Sequence, residues 1–211
     1  MRHISKIFIS VCLCILLVCA CAGNVFAAEA ASSISTNSVV LTSEDIEISE
    51  PMTYEETLRF YAEKNNTTIE EATRILGGNS RAAKSQTTRV LTTRVEVTSS
   101  YKPTIDFYCY INTDGHYWGI TSIYSVQLNR NYNGTIKQFS GNIETYLRSA
   151  YEIEYIINGD FYNTGTTSTS NGGGVDIGIN GVGNVNYTTS NTETSNYYAY
   201  CYDSKVIAFQ S

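Results

Sequence analysis

The chain has 211 residues, with 14 Lys and Arg against 20 Asp and Glu, a formal charge of −6, two prolines and 17 tyrosines. That acidic balance argues against nucleic acid and anionic membrane surfaces as partners, because both repel a negative protein that lacks a local basic patch. No two basic residues are adjacent anywhere after Lys6, so the sequence offers no such patch.

The first 27 residues read as a signal peptide. Arg2 and Lys6 form a charged start, Ile7 to Ala22 is an apolar run, Gly23-Asn24 breaks any helix, and Val25-Phe26-Ala27 supplies the small residues a signal peptidase reads. Cleavage after Ala27 and a secreted, cell-surface or extracellular location are expected. The apolar run, about sixteen residues, falls short of the roughly 20 that a spanning helix needs, which disfavours retention as an anchor. Lipidation at Cys21 is disfavoured by Cys19 within the Val18-Cys19-Ala20 approach. Cleavage removes two positive charges, Arg2 and Lys6, and no negative ones, so the charge of −6 becomes −8. Four of the six cysteines (Cys12, Cys14, Cys19, Cys21) leave with the leader. The remaining pair, Cys109 and Cys201, is expected to form a disulfide in an oxidising compartment; the rival reading is two buried thiols acting as small hydrophobes.

Residues 28–52 are Ser, Thr, Ala and acidic residues without a lasting period, and read as a disordered tether. Residues 53–78 read as a helical hairpin. Thr53 with Glu56, and Thr68 with Glu71, have the spacing of two capping boxes. Leu58, Tyr61 and Ala62 share one helical face, Ile69, Ala72, Ile75 and Leu76 share another, and Gly77-Gly78 ends the second helix. Helices this short are not stable alone, so they must pack on the rest of the chain, find a partner, or fray. Residues 79–86 form a polar linker carrying Arg81 and Lys84. It reads either as a hinge or as a protease site that makes the helical hairpin a pro-segment.

From residue 87 to 211 the pattern is all-β: an antiparallel β-sandwich or small barrel of about eight strands. Asp114-Gly115, Asn133-Gly134, Asn158-Gly159 and Asn180-Gly181 lie between alternating runs and predict hairpin turns. The organising hairpin is expected around Asn158-Gly159. Tyr151, Ile153, Tyr155 and Ile157 alternate with Glu152 and Glu154 before it, and Tyr155 would face Tyr162 and Ile156 would face Phe161 across it. The Asp114-Gly115 turn would place Cys109 opposite Ile120, with Trp118, Ile120, Tyr124, Val126 and Leu128 on one face. The Asn133-Gly134 turn would bring Leu128 opposite Phe139. Thr87-Thr88-Arg89-Val90 recurs as Thr92-Thr93-Arg94-Val95 with period five, which puts the copies on opposite faces of a strand.

For chemistry, the absences are informative. One histidine, His116, survives the leader, which excludes a multi-histidine zinc site, and two cysteines exclude a four-cysteine one. Gly172-Gly173-Gly174 precedes no helix and is no phosphate loop. No metal, cofactor or catalytic residue is expected. Cys109 lies too far from His116 on the predicted register for base activation. Glu152 and Glu154 have the spacing of a carboxylate pair, but alternating charges are the ordinary solvent face of a strand. The tyrosines are the stronger signal. Tyr108, Tyr110, Tyr198, Tyr200 and Tyr202 have the opposite parity to the buried set, and an outward row of tyrosines offers rigid amphipathic area for a protein or glycan. Residues 163–192, with Asp176 the only charge, read as a long surface hairpin or, alternatively, a membrane-active segment, although too few apolar residues alternate for a barrel strand. The expectation is therefore a secreted, non-enzymatic binding module that recognises a cell-surface protein or glycan through an exposed tyrosine face. The alternative is a secreted effector or membrane-active protein matured from the helical segment.

Overall fold

The computed structural model describes residues 39–41, 46–77 and 85–209. The expected signal peptide, the Cys21 lipidation reading, residues 28–38 and 42–45 of the tether, Gly78 of the helical hairpin and residues 79–84 of the linker lie outside the described residues.

The fold is a two-sheet antiparallel sandwich with a pair of helices, as the alternation predicts. In chain order the elements are β1 (Val39–Leu41), β2 (Ile46–Ile48), β3 (Met52–Thr53), α1 (Tyr54–Asn65), α2 (Ile69–Leu76), β4 (Thr87–Arg94), β5 (Thr104–Asp114), β6 (Tyr117–Asn129), β7 (Asn131–Tyr132), β8 (Thr135–Ile136), β9 (Gln138–Ser149), β10 (Glu152–Tyr162), β11 (Thr167–Thr169), β12 (Gly174–Gly178), β13 (Val182–Thr189) and β14 (Tyr197–Ala208). Eight of these strands, β4, β5, β6, β9, β10, β12, β13 and β14, have five residues or more. Sheet I has the order β1-β14-β10-β9-β13-β11, and sheet II the order β12-β6-β5-β4-β2, with β3 also on β4. All pairs are antiparallel except β1 with β14. Their inner faces meet in one core, with Leu91, Ile105, Phe107, Cys109 and Ile123 from sheet II against Phe139, Ile143, Ile153, Tyr155, Phe161 and Ile207 from sheet I.

The expected Asn158-Gly159 turn is not formed. β10 runs straight through the dipeptide, with Asn158 opposite Asn142 and Tyr202, and Gly159 opposite Gly141 and Cys201. Gly159 serves close packing instead. A Cβ there would stand 2.4 Å from the Ser140 carbonyl oxygen and 2.8 Å from Phe139 Cε2, so the facing glycines Gly141 and Gly159 leave the room that the Phe139 ring fills. The chain reverses earlier, at Ala150-Tyr151, and pairs Glu152 with Ser149. The parity expected for Ile153, Tyr155 and Ile157 holds, and all three are fully buried.

Two further turns reverse the chain but do not make the expected ladders. Asn133 and Gly134 both have positive φ (51° and 78°), as a type I′ turn requires. The turn closes only the two-residue arms β7 and β8, at a corner where the chain leaves sheet II for sheet I, so Leu128 and Phe139 lie in different sheets. At Asn180 (φ 63°) the Gly181 N–H donates to the Gly178 carbonyl over 2.8 Å and the chain again changes sheets, from β12 to β13. Residues 163–192 therefore form no surface hairpin: they are woven into both sheets and supply Ile177, Val185 and Tyr187 to the core.

Between β5 and β6 the reversal falls at Gly115-His116, with Asp114 opposite Tyr117. The turn thus falls one residue later than expected and a bulge at Thr121 adds another residue, so Cys109 faces Ile123 rather than Ile120; a second bulge follows on β6 at Tyr124. A bulge sets two residues against one and breaks strict alternation. Tyr124 and Ser125 share the position opposite Tyr108, and Tyr124 is turned away from the core occupied by Trp118, Ile120, Val126 and Leu128.

The outer face of sheet II is covered by the helices. Thr53 caps α1 in a complete capping box, its hydroxyl accepting from the Glu56 N–H and its own N–H donating to Glu56 Oε2 over 2.8 Å. The second box is half formed: Thr68 caps α2, but the Glu71 carboxylate takes Arg74 instead. Gly77 at φ 65° ends α2. Tyr54, Leu58, Tyr61, Ala62, Ala72 and Leu76 pack on Val90, Tyr108 and Tyr124, each large side chain so buried worth about 1.5–3 kcal/mol. A buried polar tie crosses the same layer. Lys64 Nζ lies 2.8 Å from Oδ1 of Asp106, itself 1% exposed, and the Thr92 hydroxyl donates to the same oxygen over 2.7 Å. The period-five repeat behaves as expected, with Val90 in this helical layer and Val95 in the sandwich core.

The expected tether is corrected as well. Ile46–Ile48 and Met52–Thr53 pair with β4, and Val39–Leu41 pairs with β14. The short alternation Ile46-Glu47-Ile48 buries Ile46 and exposes Glu47, so part of the segment read as featureless is sheet edge.

Candidate functional site

The five outward tyrosines expected as one face divide between two sheets. Tyr108, on β5, does point away from the core but is fully buried under the helices, 5.8 Å from the Tyr61 ring centroid. Tyr110 is half-buried and stacks on Tyr124 at 4.3 Å. Both are thus removed from the proposed surface, because the amphipathic helices take that face of sheet II as their partner. Tyr198 is also half-buried. It is the extra residue of an irregularity between Phe161 and Tyr162, its hydroxyl meets the Thr98 hydroxyl at 3.0 Å, and its ring packs edge-on to Tyr101. Tyr200 and Tyr202 are exposed as expected, at 55% and 53%.

These two stand on the outer face of sheet I, and the register shows what lies beside them. One row crosses four strands as Tyr202, Asn158, Asn142 and Asn186; the next places Tyr200 beside Asp160 and Ser140. Neighbouring strands are about 4.8 Å apart and alternate residues about 6.5 Å apart, so the tyrosines and asparagines form a lattice roughly 14 Å across. The Tyr200 hydroxyl donates to Asn158 Oδ1 over 3.0 Å. The lower part of the face satisfies itself: Tyr146 donates to Glu144 over 2.6 Å, a bond that raises the Tyr146 pKa, and Arg148 Nε donates to Glu154 over 2.6 Å. Glu154, half of the weighed carboxylate pair, is thereby an ion-pair partner. The asparagine row has no signal in the sequence, because Asn158-Gly159 carries the pattern of a turn and Asn142 and Asn186 meet Asn158 only through the strand register.

A second feature is concave. A cleft of about 780 Å³ lies between the helices, the end of β6 and the edge strand β11; its walls include Lys64, Arg74, Asn129, Arg130, Asn131 and Ser168. The Gly172-Gly173 stretch shapes it. Both have positive φ, and a Cβ on Gly173 would lie 2.7 Å from the Val126 carbonyl oxygen of β6, so the loop can reach β6 only as glycine. The Gln127 amide holds it there, donating to the Gly172 carbonyl over 2.8 Å. Arg130 donates to the Lys137 carbonyl (3.0 Å), Gln138 Oε1 (2.6 Å) and the Thr167 hydroxyl (3.1 Å). Its burial lowers the guanidinium pKa.

The remaining candidates are inert in place. Cys109 and Cys201 sit on facing sheets, both buried and both free thiols, so the expected bridge is not formed. Inward parity puts a cysteine in the core but does not set its height along the strand, and a bridge needs Cα atoms within about 7 Å. Burial pushes the Cys201 thiol up to about 11 and that of Cys109 higher still, which holds both as unreactive thiols. Cys109 faces Ile123, seven residues along β6 from His116, or roughly 23 Å at the usual rise. Among the described residues no three His, Cys, Asp or Glu side chains converge on a metal position, and no helix is long and apolar enough to cross a membrane. No protein-family model, curated protein or solved structure shows significant similarity to the chain.

Proposed function

We propose that the chain is a secreted, non-enzymatic binding module that recognises a glycan polymer at a cell surface through the outer face of sheet I. The observation that carries this reading is the outward row of Tyr202, Asn158, Asn142 and Asn186 beside Tyr200 in the middle of sheet I, exposed except at half-buried Asn142. Tyrosine rings offer flat area to sugar faces at low entropic cost, and carboxamides supply both donors and acceptors for sugar hydroxyls. The composition favours a glycan over a protein partner. Among the positions pointing outward here, Asp160, Glu144, Glu154 and Glu152 surround few apolar residues, whereas the centre of a protein interface is depleted in charge. Strand positions are already ordered, so little freedom is lost on binding.

The test is cosedimentation with insoluble cellulose, chitin, xylan and peptidoglycan. The native chain should be retained on at least one of them. Tyr200→Ala with Tyr202→Ala should weaken retention more than tenfold, at about 1–2 kcal/mol per exposed aromatic contact. Tyr117→Ala, more exposed still but at the β5–β6 turn, should leave it unchanged. Retention equal to native in the double variant overturns the reading.

A further inference from the structure

The cleft walled by α1, α2, β6 and β11 carries a charge arrangement at odds with the rest of this acidic chain. Lys64, Arg74 and Arg130 all line it. Lys64 is paired with buried Asp106, and Arg74 with Glu71 through two contacts of 2.8 and 2.5 Å. Arg130 has no carboxylate partner among the described residues: its three acceptors are a carbonyl, a carboxamide and a hydroxyl, all neutral. A half-buried guanidinium held in one position by neutral groups is already partly desolvated and oriented, the condition under which a bidentate carboxylate bond is strong. Around it the walls are carboxamides and hydroxyls, Asn65, Asn129, Asn131, Ser168 and Thr169, which suit a polyhydroxylated molecule.

We infer that this cleft is a second binding site, distinct from the outer face of sheet I, for an acidic saccharide whose carboxylate is taken by Arg130 while its hydroxyls meet the amide and hydroxyl walls. Because the two sites share no residue, the inference goes beyond the function proposed above and does not depend on it.

The probes are galacturonic acid, galactose and inorganic phosphate, each titrated into the full chain and followed by amide NMR shifts. Galacturonic acid should shift amides around Arg130 and Asn131, weakening as salt is raised; galactose should bind at least about tenfold more weakly, lacking the charge-assisted bond. Phosphate should also bind more weakly, since it offers the walls no ring of hydroxyls. Arg130→Gln should reduce galacturonate binding at least about tenfold. Because Arg130 also pins the β7–β8 corner, Asn131→Asp provides an independent variant. It keeps the acceptor that Asn131 Oδ1 offers the Gly134 N–H and adds a negative charge to the wall, so it should weaken galacturonate while the amide spectrum elsewhere stays native. Tyr200→Ala with Tyr202→Ala should leave this binding unchanged. The inference is overturned if galacturonate produces no shifts at the cleft, if Asn131→Asp binds it as the native chain does, or if phosphate binds as tightly.

Discussion

Replacing Gly159 separates the strand seen here from the turn its sequence suggests. At the second central position of a type I′ turn glycine is preferred and asparagine is tolerated, because both can adopt positive φ. In β10, Gly159 has no positive φ, and its missing side chain is filled by neighbours. An added Cβ would meet the Ser140 carbonyl oxygen at 2.4 Å, Gly141 Cα at 2.7 Å and Phe139 Cε2 at 2.8 Å, all below the 3.0 Å that real Cβ atoms essentially never breach. Two of the three are backbone atoms in the adjacent central strand β9, so they cannot move aside as the end of a side chain can. Overpacking a core costs about 1–3 kcal/mol, and these contacts place Gly159→Ala at or above the upper end, near 3 kcal/mol. For a chain of this size that lowers the melting temperature by roughly 6–12 °C. Gly159→Asn should be worse. Trp118, the only tryptophan, stacks on Phe209 at 4.8 Å and reports unfolding by fluorescence. A loss within about 0.5 kcal/mol for both variants would refute the continuous strand.

The helical layer and the buried tyrosines give two further expectations. Lys64→Met leaves Asp106 buried with only Thr92 as partner. Breaking a fully buried pair costs about 3–5 kcal/mol, and since Lys64 is 25% exposed the loss should be nearer 2 kcal/mol. Adding Asp106→Asn should recover part of it, and a native urea midpoint for Lys64→Met would show that the tie contributes nothing. Burial, the largest cause, pushes the Tyr61 and Tyr101 hydroxyls up to about 12, against about 10 in an unfolded chain. Between those values the unfolded chain releases protons that the folded one keeps, so stability is fully present below pH 10 and is lost as pH rises through 12. Urea midpoints at pH 8, 10 and 11.5 should fall only across the last interval; a constant midpoint would contradict the burial.

The sandwich was legible because alternation survives most local irregularities, and its failures trace to particular residues. Ile153, Tyr155, Ile157, Gly159 and Phe161 keep one parity straight through Asn158-Gly159, and that continuity was a better guide than the dipeptide's turn propensity. Asn133-Gly134 and Asn180-Gly181 do turn, but a turn signal does not say whether the next strand joins the same sheet, and here each changes sheet. The bulges at Thr121 and Tyr124 cannot be read from composition: the first reverses the parity of β6 and the second restores it, so Val126 and Leu128 return to the face of Trp118 and Ile120. For the site, the outward parity of Tyr108 was correct and its exposure was not. The apolar faces of α1 and α2 already required a partner, and Val90, Tyr108 and Tyr124 supply it. The asparagine row, and the lack of an acid partner for Arg130 among the described residues, depend on which strands become neighbours and where the acid groups fall, and neither has a one-dimensional signature.

Tyrosine nitration with tetranitromethane, mapped by peptide mass with and without the polysaccharide that retains the chain in sedimentation, joins the fold to the proposed function in one experiment. In the free protein Tyr200 and Tyr202 should be modified while Tyr108, Tyr155 and Tyr187 remain intact, and bound polysaccharide should protect Tyr200 and Tyr202 but not Tyr117. Nitration of Tyr108 in the folded chain would contradict the helical cover, and equal nitration of Tyr200 and Tyr202 with and without polysaccharide would contradict the binding face.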